Sequence, residues 1–237
     1  MNKGKLLPVL LLLLLFYSCR KDELTLPAKV IFAFELIAHE DGVNLKGGPP
    51  FNLPGRITVN QGSLTIASVE FDGRRDEGRD VFFVSDLRQP IVVDLENGTS
   101  SNPLSFDIPQ GIYNIIEIHL ELGGDGMIPL VLEGKINQGT PNEIPLRFEH
   151  NIREKFRIKA EPGQGSKVVL RKDTPSNARI IVDSRSVFQF VNPSVLKDAI
   201  VSTINGEEVI LINSITNNSI FNKMADRLEK SLSVIID

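Results

Sequence analysis

Apolar and polar residues alternate with a period of two along most of this chain. Residues 29–38 place Val30, Phe32, Phe34 and Leu36 on one face, the pattern of a strand with one side buried and one wet. Residues 112–122 repeat it most clearly: Ile112, Asn114, Ile116, Ile118, Leu120 and Leu122 alternate with Glu117, His119 and Glu121. Strands are also predicted at 56–60, 63–71, 81–85, 91–95, 128–136, 144–150, 155–160, 167–171 and 178–184, with a turn at Gln61-Gly62. Within 63–71 the apolar parity shifts from Leu64 and Ile66 to Val69 and Phe71, which predicts a bulge near Ala67-Ser68. The segment 44–55 is dense in Gly and Pro and is expected to be loop. Many short strands separated by turn signals predict a mainly β fold, an antiparallel β-sandwich of the immunoglobulin/transthyretin-like kind.

The period changes after Asn192. Asn192-Pro193 pairs a capping side chain with a proline at the first helical position, and Asn205-Gly206 is expected to stop that helix. A second helix is predicted from Asn217-Asn218-Ser219 to the end, with Ile220, Phe221, Met224, Leu228, Leu232 and Ile235 on its apolar face. The expected organisation is a leader over 1–18, a tether over 19–27, a sandwich domain over 28–191 and a helical segment over 192–237 packed on the sandwich. The linker between the last two is only Asn192-Pro193, too short for free movement.

The amino terminus bears on location. Lys3 and Lys5 precede an apolar run from Leu6 to Tyr17 that ends at Ser18 and Cys19, the plan of a secretory signal. At 12 residues the run is shorter than the ~20 needed to span a bilayer as a helix. Phe16-Tyr17-Ser18-Cys19 resembles the lipobox of bacterial lipoproteins, and Cys19 is the one cysteine of the 237 residues. The resemblance implies that Cys19 becomes the first mature residue and carries palmitate-type acyl chains. Two or more chains hold a protein stably on a membrane where one does so only reversibly. The Arg20-Lys21-Asp22-Glu23 that follows resembles the surface-export signal of Bacteroidetes-type lipoproteins. It implies an outer-membrane anchor, facing either the cell surface or the periplasm.

The whole chain has a net charge of −4; without the leader's two lysines it has 24 basic and 30 acidic residues, net −6. That sign argues against nucleic acid as a partner. A single cysteine excludes an internal disulfide framework and a cysteine-rich zinc site.

Residues 57–122 resemble the β-sandwich domain of unknown function found in Bacteroidetes-type cell-envelope lipoproteins. The features are the run 63–71, a charged hairpin after it, and Pro109-Gln110-Gly111-Ile112-Tyr113 leading into the strand through His119. In that turn Gly permits positive φ, and Tyr packs apolar carbon while its hydroxyl reaches backbone. Residues 179–193 are similar to the end of such domains. The resemblance implies fold and location and supplies no catalytic residue.

Candidate chemistry is sparse. Glu117-x-His119-x-Glu121 sets two carboxylates and an imidazole on one strand face, so a metal-binding periplasmic protein or metal-dependent hydrolase is the alternative to a non-catalytic binding or structural module. The cluster Asp72-Gly73-Arg74-Arg75-Asp76-Glu77-Gly78-Arg79-Asp80 lacks the order of a calcium loop and is expected to be a hairpin tip. No Gly-x-Ser-x-Gly, His-Glu-x-x-His or phosphate-loop motif occurs, and no motif implies a cofactor. A carbohydrate platform is disfavoured by the absence of Trp, leaving Phe51, Phe82, Phe83 and Phe188 as aromatic candidates. The implied partners are a membrane through Cys19 and an envelope protein or glycan.

Overall fold

A computed structural model describes residues 23–40, 56–137 and 143–237. The leader, Cys19, the predicted loop over 44–55 and Phe51 lie outside them. Fifteen strands are present among the described residues: β1 Pro27–Ile37, β2 His39–Glu40, β3 Arg56–Arg75, β4 Val81–Asp94, β5 Thr99–Ser100, β6 Ser105–Pro109, β7 Gly111–Leu122, β8 Leu130–Asn137, β9 Glu143–His150, β10 Glu154–Pro162, β11 Val168–Leu170, β12 Ser176–Asp183, β13 Val201–Ile204, β14 Glu207–Ile212 and β15 Leu232–Ile236.

The fold is mainly β, as the alternation predicts, and the strands form one mixed sheet in the order β13-β14-β9-β8-β3-β7-β10-β15-β12-β1-β6. The expectation of a purely antiparallel arrangement is corrected by three parallel pairs: β1 with β12, β10 with β15, and β14 with β9. Side chains alternate with period two in parallel and antiparallel ladders alike, so periodicity does not report strand direction. The sheet curls back on itself: Phe106 of β6 packs 5.1 Å from Phe83 of β4, which in turn stacks on Phe71 of β3. One hydrophobic cluster runs through the inner side, including Phe34, Phe71, Ile118, Phe148, Ile180 and Val234.

Two predicted strand breaks are absent. Gln61-Gly62 lies inside β3, where the register with β8 slips between Val59 and Gln61, so a bulge absorbs what reads as a turn. The runs 81–85 and 91–95 are one strand, β4, that carries Pro90 beside the shift opposite Ala67. The predicted bulge at Ala67-Ser68 is present: the ladders of β3 with both β4 and β7 shift between Ile66 and Ser68.

The carboxy-terminal segment departs most from expectation. Asn192 caps a helix at Pro193–Lys197, its Oδ1 accepting from the Ser194 amide at 2.9 Å. That helix ends before Asn205-Gly206, which instead joins β13 to β14 as a two-residue hairpin with φ of 53° and 87°. Positive φ at both positions is what this hairpin turn requires and what Asn-Gly supplies. The second helix is also shorter than its stripe predicts. It occupies Asn218–Ala225 and Leu228–Ser231, and the chain then becomes strand β15 between β10 and β12. Ile220, Phe221, Met224 and Leu228 are buried as predicted. Beyond them the buried set is Leu232, Val234 and Ile236, with Ile235 on the other face of the strand. The expected 19–27 tether is likewise shorter, because Glu23–Thr25 already forms one 3-10 turn and β1 begins at Pro27.

Candidate functional site

The outer face of β3, β7 and β10 gathers most of the chemistry singled out from sequence. Strand β7 contributes Glu117, His119 and Glu121 from alternate positions, and β3, its antiparallel neighbour, sets Asp72, Glu70 and Ser68 opposite them. On the other side β10 sets Lys159, Arg157 and Lys155 opposite the same three. The inward residues of these strands, among them Phe71, Ile118, Leu120 and Ile158, are buried. A slip of one residue would exchange the two sets, so burial of the inner set holds the outer charges in register.

These groups are engaged with one another. Glu117 accepts from Arg157 Nη2, and Glu121 accepts from Arg153 Nε at 2.7 Å and from Ser68 Oγ at 3.1 Å. Glu70 accepts from Lys155 Nζ at 2.5 Å, while its other oxygen lies 3.0 Å from His119 Nδ1. The hydrogen bonds from Lys155, Arg157 and Arg153 hold the carboxyls of Glu70, Glu117 and Glu121, respectively, below their usual range against the opposing effect of burial. His119 Nε2 is buried with no hydrogen-bond partner.

The metal reading of Glu117, His119 and Glu121 finds no gathered ligand set. Alternate side chains stand ~6.5–7 Å apart along a strand, whereas ligands of one ion all lie within ~2–2.6 Å of it. Here Glu117 and Glu121 turn to arginines and His119 turns to Glu70. Among the described residues no group of three or more His, Cys, Asp or Glu is placed to hold one metal ion. The basic alternation Lys155, Arg157, Lys159 was the missed sequence signal, since a basic strand complements an acidic one when the two pair.

The charged run 72–80 forms the end of β3 and the tip of the hairpin to β4, as predicted, with Gly73 opposite Val81. Asp76 accepts from Lys167 Nζ at 2.6 Å, and Arg75 turns inward to backbone carbonyls. Of the aromatic candidates, Phe82 is exposed, Phe83 is half-buried against the core and Phe188 is buried, so they do not form a platform. A polar groove of about 740 Å³ opens elsewhere on the sheet, bordered by Arg56, Glu133, Arg147 and Asn205. Arg147 bridges Glu133 and Glu149 there. A second groove, of about 670 Å³, lies between Lys167, Arg171, Ser176 and Asp237.

Among the described residues one histidine is deeply buried. His150 is 1% exposed, stacked 5.9 Å from Phe221, and lies 3.2 Å from the Glu154 carboxylate without hydrogen-bond geometry. Burial pushes its pKa below the usual 6.5, outweighing the pull of Glu154. Below pH 6.5 the unfolded chain therefore binds a proton that the folded chain resists, so this contribution is complete above 6.5 and is lost as pH falls beneath it. We expect the melting temperature to drop between pH 7 and pH 5 more steeply in the parent than in His150→Leu. Equal slopes in thermal melts across that range would remove His150 as the cause.

No protein-family model and no curated protein matches this chain. Among solved structures, MbnP from Methylosinus trichosporium superposes with a TM-score of 0.36 at 14% identity, covering 69% of this chain and 77% of that one. Among the described residues no helix is long and apolar enough to cross a membrane.

Proposed function

We propose that this chain is a lipid-anchored cell-envelope protein, of the Bacteroidetes-type lipoprotein kind, whose β domain is a non-catalytic binding or structural module. The observation that carries it is the amino-terminal order of Lys3 and Lys5, the apolar run from Leu6 to Tyr17, and Cys19. The module reading is supported by the charged face, where Glu70 of β3 and Glu117 and Glu121 of β7 are engaged by Lys155 and Arg157 of β10 and by Arg153 just before it. The curled sheet is read as a sandwich of the immunoglobulin/transthyretin-like kind with parallel pairs added. Tyr113 supports this: it is buried, and its hydroxyl donates to the Pro109 carbonyl four residues upstream at 2.5 Å, in the manner of the tyrosine corner of such folds.

The test is Cys19→Ala in cells. The parent is expected in the membrane fraction after carbonate washing, and the variant in the soluble fraction or as an uncleaved precursor. A processed variant that stays with membranes would overturn the lipid anchor.

A further inference from the structure

The chain enters the fold at one end of the sheet and is gripped there. Pro27 of β1 lies opposite Pro109 of β6, Arg75 of β3 opposite Tyr113, and Leu170 of β11 opposite Gly111 at the start of β7. Strand β12 begins and β15 ends at the same end, Ala178 opposite Ile236. Just before β1, the Leu26 carbonyl accepts from the Gln110 amide at 2.8 Å. The half-buried Arg75 guanidinium donates to the Leu24 carbonyl at 2.7 Å, the Gln110 carbonyl at 3.3 Å and the Arg79 carbonyl at 2.6 Å. Hydrogen bonds from a charged donor are stronger than neutral ones, and this one ties the entering chain to two separate turns.

We infer that Arg75 and the Leu26–Gln110 contact form a rigid joint that keeps this end of the domain, with the turns around Arg79, Gln110 and Lys172, facing the lipid surface and presents the opposite end outward. This rests on the reading of Cys19 as the lipid-bearing residue. Three residues lie between Cys19 and Glu23, so four chain steps join them, a reach of at most ~14 Å at ~3.3–3.6 Å per step. Strand β1 alone, Pro27–Ile37, spans ~33 Å at ~3.3 Å per residue. A domain held within ~14 Å of the lipid at one end cannot invert to set its other end on the membrane. The opposite end is marked by the helix Ser184–Phe188, whose Ser184 Oγ donates to the Ile37 carbonyl. Were the joint released, residues 23–26 would join the tether and about double its reach.

The experiment uses full-length lipidated protein in phosphatidylcholine vesicles that carry a headgroup-level quencher. With the Cys19 thiol alkylated, a cysteine introduced at exposed Lys172 or exposed Arg185 is the one free thiol for a fluorophore. The label at Lys172→Cys is expected to be strongly quenched and that at Arg185→Cys to keep its vesicle-free intensity. An insertion of about ten Gly/Ser residues after Lys21 adds a reach of ~17 Å without touching the fold, and is expected to abolish the difference. Arg75→Met is expected to reduce it and to open the Leu24–Leu26 segment to proteolysis. Equal quenching at both positions in vesicle-bound protein would overturn the orientation while leaving the anchor intact. Failure to co-float with vesicles would overturn the anchor, and the orientation with it.

Discussion

Removing Leu232–Asp237 is expected to abolish folding. These residues carry β15, which pairs with β10 on one side and β12 on the other. The loss exposes both neighbours' hydrogen-bonding edges and vacates the places of Leu232, Val234 and Ile236, all at most 6% exposed. Full burial of such side chains is worth ~1.5–3 kcal/mol each, together of the same order as the ~5–15 kcal/mol by which folded domains are stable. The truncated chain should show no cooperative thermal transition and no dispersed amide spectrum. A smaller change grades the claim: Ile236→Ala should cost about 2–5 kcal/mol in chemical denaturation. A truncated chain that melts like the parent would show β15 to be dispensable.

Gly134→Ala is expected to destabilise the domain by about 3 kcal/mol or more, at the upper end of what overpacking causes. Gly134 of β8 faces Val59 of β3 immediately before the register slip at Asn60. A Cβ there would lie 1.8 Å from the Thr58 carbonyl oxygen and 2.8 Å from the Val59 Cα. Both are backbone atoms of a paired strand, so relief requires the bulge to move and cannot come from a side-chain rotation. Urea denaturation of the parent and the variant measures the difference, and a change under about 0.5 kcal/mol, typical of surface substitutions, would mean that the close approach at this bulge is absent.

The alternation of Val30, Phe32 and Phe34, and that of Ile116, Ile118 and Leu120, was legible because burial on one side of a pleated strand is a local property with a period of two. The bulge at Ala67 was legible for the same reason, since an extra residue flips the parity of everything after it. Asn192 as a helix cap and the Pro109–Tyr113 turn were legible because their hydrogen bonds close within a few residues. The candidate site was legible only as one strand. Glu117, His119 and Glu121 stand out in sequence, but their partners Arg157, Glu70 and Arg153 lie 40, 49 and 32 residues away, respectively, and which strand pairs with which is a long-range outcome.

Tertiary structure alone decided the parallel pairings and the fate of the chain's last residues. The stripe through Leu228, Leu232 and Ile235 has helical spacing, yet Leu232, Val234 and Ile236 also fit a strand. Over five residues a period of 3.6 and a period of 2 are barely distinguishable. The choice falls to the open place between β10 and β12, where a strand satisfies two rows of backbone hydrogen bonds at once while a helix would satisfy neither.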